Sequence, residues 1–192
     1  MKKVLFVLAS MCLLSGCVTW GEGVSGDPTS SSSTPATTTT TTTSQSTSTK
    51  SVKITKFNCG LTGDDSTEAF TTALDIEGST EKYEFEVGPN CYNHATYDEF
   101  LIKKDGYFKS KSTYHVEKLV IDYMSKKAIN FEVLNANGDK VNSVQSEVAT
   151  EYPDANDYGA VVEYPIDGNA WRIQNVTDYK PAFYSVTVIF TM

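Results

Sequence analysis

FYSVTVIFT, at residues 183–191, is the stretch that decides the fold. β-Branched and aromatic residues make up most of it, and no Gly or Pro interrupts it, so it predicts a long β-strand. Further strand signals recur at short intervals towards the N-terminus, at residues 52–57, 82–87, 99–103, 107–110, 116–123, 128–134, 140–144, 160–164 and 171–176. Short strands joined by turn residues, without a strand–helix alternation, predict an all-β, antiparallel, jelly-roll-like sandwich.

Two of the connections carry their own signals. The Asn137 Gly138 step within residues 135–139 suits positive φ and predicts a hairpin turn. Residues 125–127 join two predicted strands whose apolar positions alternate. Both connections therefore favour antiparallel strands.

Residues 67–76 form the ambiguous segment of the domain. Phe70, Ala73 and Leu74 have helical spacing, and Gly78 supplies a C-terminal stop. The threonines of the same segment suit a strand. We expect a short helix here, with a strand as the alternative.

Four strand motifs stand out within residues 99–192. They are Leu101 Ile102 Lys103 Lys104 with Gly106, Leu119 Val120 Ile121 Asp122, Phe131 Glu132 Val133, and Tyr184 Ser185 Val186 Thr187 Val188. In this order they resemble a β-sandwich module of surface and secreted proteins of Firmicutes and related bacteria. The resemblance implies a non-catalytic role, of an accessory or carbohydrate-binding-like kind, and it transfers no site residues.

The N-terminus has the pattern of a lipoprotein signal peptide, expected at residues 1–16. Two lysines precede an apolar run at residues 4–14, which is too short to span a membrane as a helix. The following Leu14 Ser15 Gly16 Cys17 resembles the lipobox of bacterial prolipoproteins. That resemblance implies lipidation of Cys17 and attachment to the membrane through its acyl chains. An ordinary secretory signal, with Cys17 incidental, is the alternative.

Residues 17–50 predict a disordered tether. Ser and Thr fill most of this segment, which lacks the apolar surface needed to offset chain entropy. The expected organisation is therefore a signal peptide, a lipidated linker, and a β-sandwich domain at residues 51–192. The expected location is the extracytoplasmic face of the cell membrane, or the outer membrane in a cell that has two.

The charged residues of the chain limit the classes of ligand that it can bind. The chain has 24 acidic and 16 basic side chains, a net charge of −8, which is the wrong sign for binding nucleic acid. Arg172 is the sole arginine, and hence the sole candidate for bidentate binding of a carboxylate or phosphate.

Two cysteines remain once Cys17 is assigned to lipid and Cys12 to the signal peptide. Cys59 and Cys91 form the only intramolecular pair, and closing their loop would stabilise the fold by roughly 3–4 kcal/mol in the chain-entropy model. The alternative is a pair of buried free thiols.

The sequence contains no nucleophile motif, phosphate-binding loop or zinc-protease motif, so we expect a non-enzyme without cofactors. His94 and His115 are expected at the surface or at strand edges. A weak calcium candidate is the loop containing Asp154, Asn156 and Asp157, where an acidic solvated turn is the default.

The many aromatic residues suggest a ligand-binding cluster, for which the best candidates are Tyr152, Tyr158 and Trp171. Trp171, between strand residues, has a core position as its alternative. We expect a membrane-anchored surface lipoprotein whose sandwich binds an extracellular ligand, a glycan or a surface protein. A structural envelope lipoprotein with no dedicated ligand is the alternative.

Overall fold

The structure is a computed structural model that describes residues 47–125, 130–148 and 158–192, with backbone alone at residues 125, 145–148 and 158–159. Within these ranges it contains twelve β-strands and no helix, and hence no helix that could cross a membrane. The strands are β1 Thr49–Ile54, β2 Phe70–Asp75, β3 Lys82–Val87, β4 Cys91–Asn93, β5 Phe100–Ile102, β6 Tyr107–Ser110, β7 His115–Ser125, β8 Glu132–Leu134, β9 Gln145–Val148, β10 Tyr158–Gly168, β11 Arg172–Gln174 and β12 Ala182–Thr191.

The strands form two packed antiparallel sheets, which confirms the predicted sandwich. The seven-stranded sheet has the order β4-β5-β12-β7-β10-β9, with β1 also paired to β12. The five-stranded sheet has the order β2-β3-β6-β11-β8. Sequence neighbours pair directly only at β2–β3, β4–β5 and β9–β10 among the described strands. Most connections therefore cross from one sheet to the other.

Strand β12 organises the larger sheet, as its sequence predicts. It pairs with β7 along one edge, while β5 and β1 share the other edge. β5 pairs with the N-terminal end of β12, at Ala182 and Phe183, and β1 pairs with the part from Val186 to Thr191. The loop after β1 and the loop before β5 come together where these two strands meet, and they form the site described below.

Aromatic rings link the two sheets through the core. Phe85 and Phe108 of the smaller sheet stack at 6.0 Å between ring centroids, and Phe108 lies 4.9 Å from Phe100 of the larger sheet. Phe100 in turn lies 5.4 Å from Phe183 of β12. All four side chains are buried, so alternation along each strand has placed one face of each sheet in a common core.

The prediction of a helix within residues 67–76 is wrong, because this segment contains strand β2. Residues Phe70–Asp75 pair with the whole of β3, and their burial alternates with the period of a strand. Phe70 and Leu74 are four residues apart, a spacing that places them on one face of a strand as well as on one face of a helix. Pairing with β3 decides between the two.

Other predicted segments differ from the structure at their ends. β1 begins at Thr49, and Ser48 exchanges two backbone hydrogen bonds with Met192, so the sheet starts before the predicted domain boundary at residue 51. In place of a strand at residues 140–144, the structure has a single bridge between Leu134 and Lys140. β3 and β6 match their predicted bounds, at residues 82–87 and 107–110.

The predicted turn at Asn137 Gly138 is confirmed. Gly138 has φ of +82°, and the Asn135 amide donates to the Asp139 carbonyl oxygen at 3.0 Å. The Asn135 side chain also accepts hydrogen bonds from the amides of Asn137 and Asp139. Glycine supplies the left-handed conformation that the turn requires.

Candidate ligand-binding site

Trp171 does not belong to a ligand-binding cluster, so that prediction is corrected. Its side chain is 2% exposed, and its indole Nε1–H donates to the Tyr83 hydroxyl oxygen at 2.9 Å. A ring buried in this way cannot stack on a ligand. Tyr152 lies outside the described residues, and Tyr158 is described by its backbone alone, as the first residue of β10.

Cys59 and Cys91 are both buried and are free thiols in this structure. This matches the alternative that the sequence left open to a disulfide. The Cys59 thiol donates to Asn93 Oδ1 at 3.6 Å, and the Cys91 thiol donates to the Pro89 carbonyl oxygen at 3.5 Å. Burial raises the pKa of Cys91 to about 12. Both thiols therefore act as small core side chains here.

The remaining predicted sites are the lipidated cysteine and the calcium loop. Cys17 and the calcium candidates Asp154, Asn156 and Asp157 lie outside the described residues. Elsewhere, in the portion that the structure covers, no three His, Cys, Asp or Glu side chains come together as metal ligands.

Exposed aromatic residues identify a different site. Phe57 is 76% exposed and Tyr97 is 59% exposed. Phe57 lies in the loop after β1, and Tyr97 lies in the loop between β4 and β5. We call the surface formed by Phe57, His94 and Tyr97, with Lys56 and Asp98, the aromatic site.

Lys56 holds the two loops of the aromatic site together. Its Nζ donates to the carbonyl oxygens of His94, at 3.0 Å, and Tyr97, at 2.6 Å. The same Nζ lies 5.7 Å from the Phe57 ring centroid and 3.6 Å from Asp98 Oδ1. The Lys56 side chain is only 17% exposed, so one largely buried lysine holds the backbone of the Tyr97 loop beside Phe57.

Two asparagines fix the loop after β1 through hydrogen bonds. Asn58 Oδ1 accepts from the Thr55 amide at 2.7 Å, and Asn58 Nδ2 donates to the Lys53 carbonyl oxygen at 2.8 Å. Asn93, on β4, donates through Nδ2 to the carbonyl oxygens of Lys56 and Leu61. These bonds leave Phe57 at the tip of a tight turn, pointing away from the core.

His94 fixes the second loop. Its Nδ1 accepts from the backbone amides of Thr96, at 3.1 Å, and Tyr97, at 3.2 Å. Its ring lies 4.8 Å from the Tyr97 ring, between centroids. Because Nδ1 accepts two hydrogen bonds, the neutral imidazole carries its proton on Nε2, which is then a donor for a ligand.

A polar groove is formed by the segment that comes after Phe57 in the chain. It has a volume of about 350 Å³ and is lined by residues 60–62 and 64–70, with Asp64, Asp65 and Glu68 among them. Asn93 connects it to the aromatic site, because the Asn93 amide donates to the Thr62 carbonyl oxygen and its side chain donates to the Leu61 carbonyl oxygen.

The aromatic site combines the groups that sugar recognition uses. Two exposed rings can stack on the C–H face of a sugar, while the Asp98 carboxylate and His94 Nε2–H can bind hydroxyl groups. Sequence reasoning missed this site because Phe57 was placed at the end of a strand. The Asn58 turn signal, one residue after Phe57, could have placed it in a loop.

Comparison of this chain with protein-family models, with curated proteins and with solved structures finds no match.

Proposed function

We propose that this chain is a membrane-anchored surface lipoprotein whose non-catalytic β-sandwich binds an extracellular glycan at the aromatic site. The observation that carries the proposal is the exposure of Phe57 and Tyr97 on two loops that Lys56 ties together. Exposed rings on a constrained backbone need little further ordering when a ligand binds, so less conformational entropy is lost.

The polar surroundings favour a sugar over an apolar ligand. Asp98, which follows Tyr97 and pairs with Lys56, is 75% exposed, and the polar groove begins three residues after Phe57. Carboxylate and imidazole groups next to stacking rings match the alternating C–H and O–H surfaces of a sugar. An apolar partner would leave these polar groups desolvated without hydrogen bonds.

The sequence supplies the anchoring part of the proposal. Lipid on Cys17 would hold the chain to the extracytoplasmic face of a membrane, and the Ser/Thr-rich segment that follows would extend the domain outwards. A flexible linker of this length has a root-mean-square reach of roughly 30 Å.

A glycan array probed with the purified full chain tests the proposal. We expect retention of the wild type on a subset of glycans, and a loss of at least about tenfold in affinity for the Phe57→Ala, Tyr97→Ala double variant. Tyr179→Ala is the matched control, because Tyr179 is also exposed but lies outside the aromatic site.

Three outcomes would contradict glycan binding at the aromatic site. Equal retention of the double variant would exclude the aromatic site. Failure of the wild type to bind any glycan, with capture of a surface protein that the double variant loses, would assign the site to protein adhesion. Absence of both activities would leave a structural envelope role.

A further inference from the structure

We propose that Arg172 forms a second binding site, on the outer face of the five-stranded sheet, that takes a carboxylate group of an acidic polysaccharide. The site shares no residue with the aromatic site. Either proposal can therefore fail without the other.

Strand register brings the charged residues of this second site together. Glu86 of β3 is opposite Lys109 of β6, and Lys109 is opposite Arg172 of β11. Phe108, next to Lys109 in β6, and Ile173, next to Arg172 in β11, are buried in the core. Because side chains alternate along a strand, Glu86, Lys109 and Arg172 all lie on the outer face.

Tyr107 fixes the orientation of the guanidinium group. Arg172 Cζ lies 4.1 Å from the Tyr107 ring centroid, and Lys109 Nζ lies 5.4 Å from the same centroid. The Tyr107 hydroxyl donates to Glu86 Oε1 at 2.6 Å. The ring itself lies against Gly88, where an added Cβ would be 2.5 Å from two ring carbons. The guanidinium therefore lies against a ring that is itself held in place, which restricts its orientation as a bidentate carboxylate contact requires.

The neighbouring carboxylates are already occupied. Glu86 lies 2.8 Å from Lys109 Nζ and 3.8 Å from Lys111 Nζ, in addition to accepting from Tyr107. Glu132, on β8, accepts from Lys140 Nζ at 3.4 Å and from Gln174 Nε2 at 3.1 Å.

Arg172 itself has no acidic partner among the described residues. Across the described ranges, its guanidinium makes no ion pair, and its buried Nε has no hydrogen-bond partner. Lys109 and Lys111 thus pair with Glu86, while Arg172, opposite Lys109 on the next strand, keeps its charge unpaired. This local positive charge stands out in a chain whose net charge is −8.

The shape and charge of the surface select the ligand. One unpaired guanidinium matches one singly charged planar carboxylate, whereas a doubly charged phosphate would be repelled more strongly by Glu86 and Glu132. The outer face of a sheet is an extended surface, which suits a polymer lying across the strands. A polysaccharide of uronic acid units combines these properties.

Nuclear magnetic resonance offers a direct test, because the sole arginine of the chain gives a single Nε–H signal. We expect this signal of the full chain to shift on titration with oligogalacturonate, but not with its neutral methyl ester. The affinity should fall about tenfold in Arg172→Lys, which keeps the charge but loses the planar fork. Lys104→Ala is the control, since Lys104 pairs with Asp178 away from the site.

The salt dependence of binding and a comparison of different polyanions show whether the proposal holds. Binding should weaken strongly between about 0.05 M and about 0.5 M NaCl, because screening removes the contribution of exposed charges. No shift of the Arg172 signal, or equal affinity in wild type and Arg172→Lys, would overturn the proposal. So would tighter binding of polyglycerol phosphate or polyglutamate than of oligogalacturonate. Loss of oligogalacturonate binding in the Phe57→Ala, Tyr97→Ala variant would assign that ligand to the aromatic site instead.

Discussion

The indole N–H of Trp171 donates to the hydroxyl oxygen of Tyr83 across 2.9 Å, within a core where both side chains are buried. Tyr83 lies on β3, and Trp171 directly precedes β11, so the bond joins segments 88 residues apart in the chain. It gives each aromatic side chain a partner for its one polar group, and this allows both rings to occupy the core.

Replacing Tyr83 with Phe should destabilise the fold by about 1–3 kcal/mol, because the buried indole N–H would lose its acceptor. Urea unfolding followed by tryptophan fluorescence measures the change. Tyr179→Phe, at an exposed position, is the control. A Tyr83→Phe effect no larger than that of the control would show that the bond contributes nothing to stability.

Alkaline conditions should destabilise the domain through its buried tyrosines. Burial raises the pKa of the Tyr83 and Tyr164 hydroxyls above their ordinary value of 10.0. Because the folded chain holds these protons more tightly than the unfolded chain does, the stabilisation is complete below the unfolded pKa of about 10 and is lost as pH rises above it.

Urea midpoints measured against pH, together with tyrosinate absorbance, check this expectation. The decline in stability above pH about 10 should be shallower in Tyr83→Phe, which removes one of the two hydroxyls. Ionisation of both tyrosines while the chain remains folded would contradict it.

Gly88→Ala should destabilise the domain by about 1–3 kcal/mol, because the new methyl group would overlap the Tyr107 ring. The displaced ring would also lose its stacking contact with Arg172, so the Arg172 Nε–H signal should move. Gly63→Ala is the matched control, since an added Cβ there meets nothing within 4 Å. Equal stabilities of the two variants would show that the ring shifts without cost.

His94→Ala should loosen the Tyr97 loop, because the amides of Thr96 and Tyr97 would lose their shared acceptor. We expect hydrogen exchange at these two amides to accelerate by about tenfold. His94→Asn should restore part of the protection through its side-chain oxygen. His115→Ala is the control, since His115 lies 3.2 Å from Asp167 in another part of the chain. Unchanged exchange in His94→Ala would remove His94 from the aromatic site.

Cys17→Ser should abolish lipid attachment and release the chain from the membrane fraction. Metabolic labelling with an alkyne fatty acid, followed by fractionation, measures both effects. Cys12→Ser, within the expected signal peptide, is the matched control and should retain label. Membrane association that persists in Cys17→Ser without label would indicate another means of attachment.

The strands were predictable because their signal is local. Alternation along β3 and β6 gave their bounds directly, and Asn137 Gly138 marked a turn by the φ that glycine allows. The partner of a strand depends instead on residues distant in the sequence. β8 pairs with β11, and β7 with β10 and β12, although residues 125–127 suggested that β7 and the segment ending in β8 are neighbours.

The meeting of the two loops that form the aromatic site was beyond prediction for a similar reason. Lys56 reaches His94 and Tyr97, 38 and 41 residues away, and only the finished sheet brings their loops together. Trp171 was misplaced because an aromatic residue between strand residues has the same local pattern whether it faces the core or the solvent. Its hydrogen bond to Tyr83 depends on strand order, which the sequence does not reveal.

The position of β1 determines how the domain bears mechanical load. The aromatic site follows the C-terminal end of β1, whereas the N-terminal segment joins its other end at Thr49. Tension between a ligand held at Phe57 and an anchor on the N-terminal side would therefore run along the covalent backbone of β1. Because both points of attachment lie on one strand, this force would not shear β1 against β12, and the six β1–β12 residue pairs would stay unloaded. A pull on the ligand would thus reach the anchor without passing through the core of the sandwich.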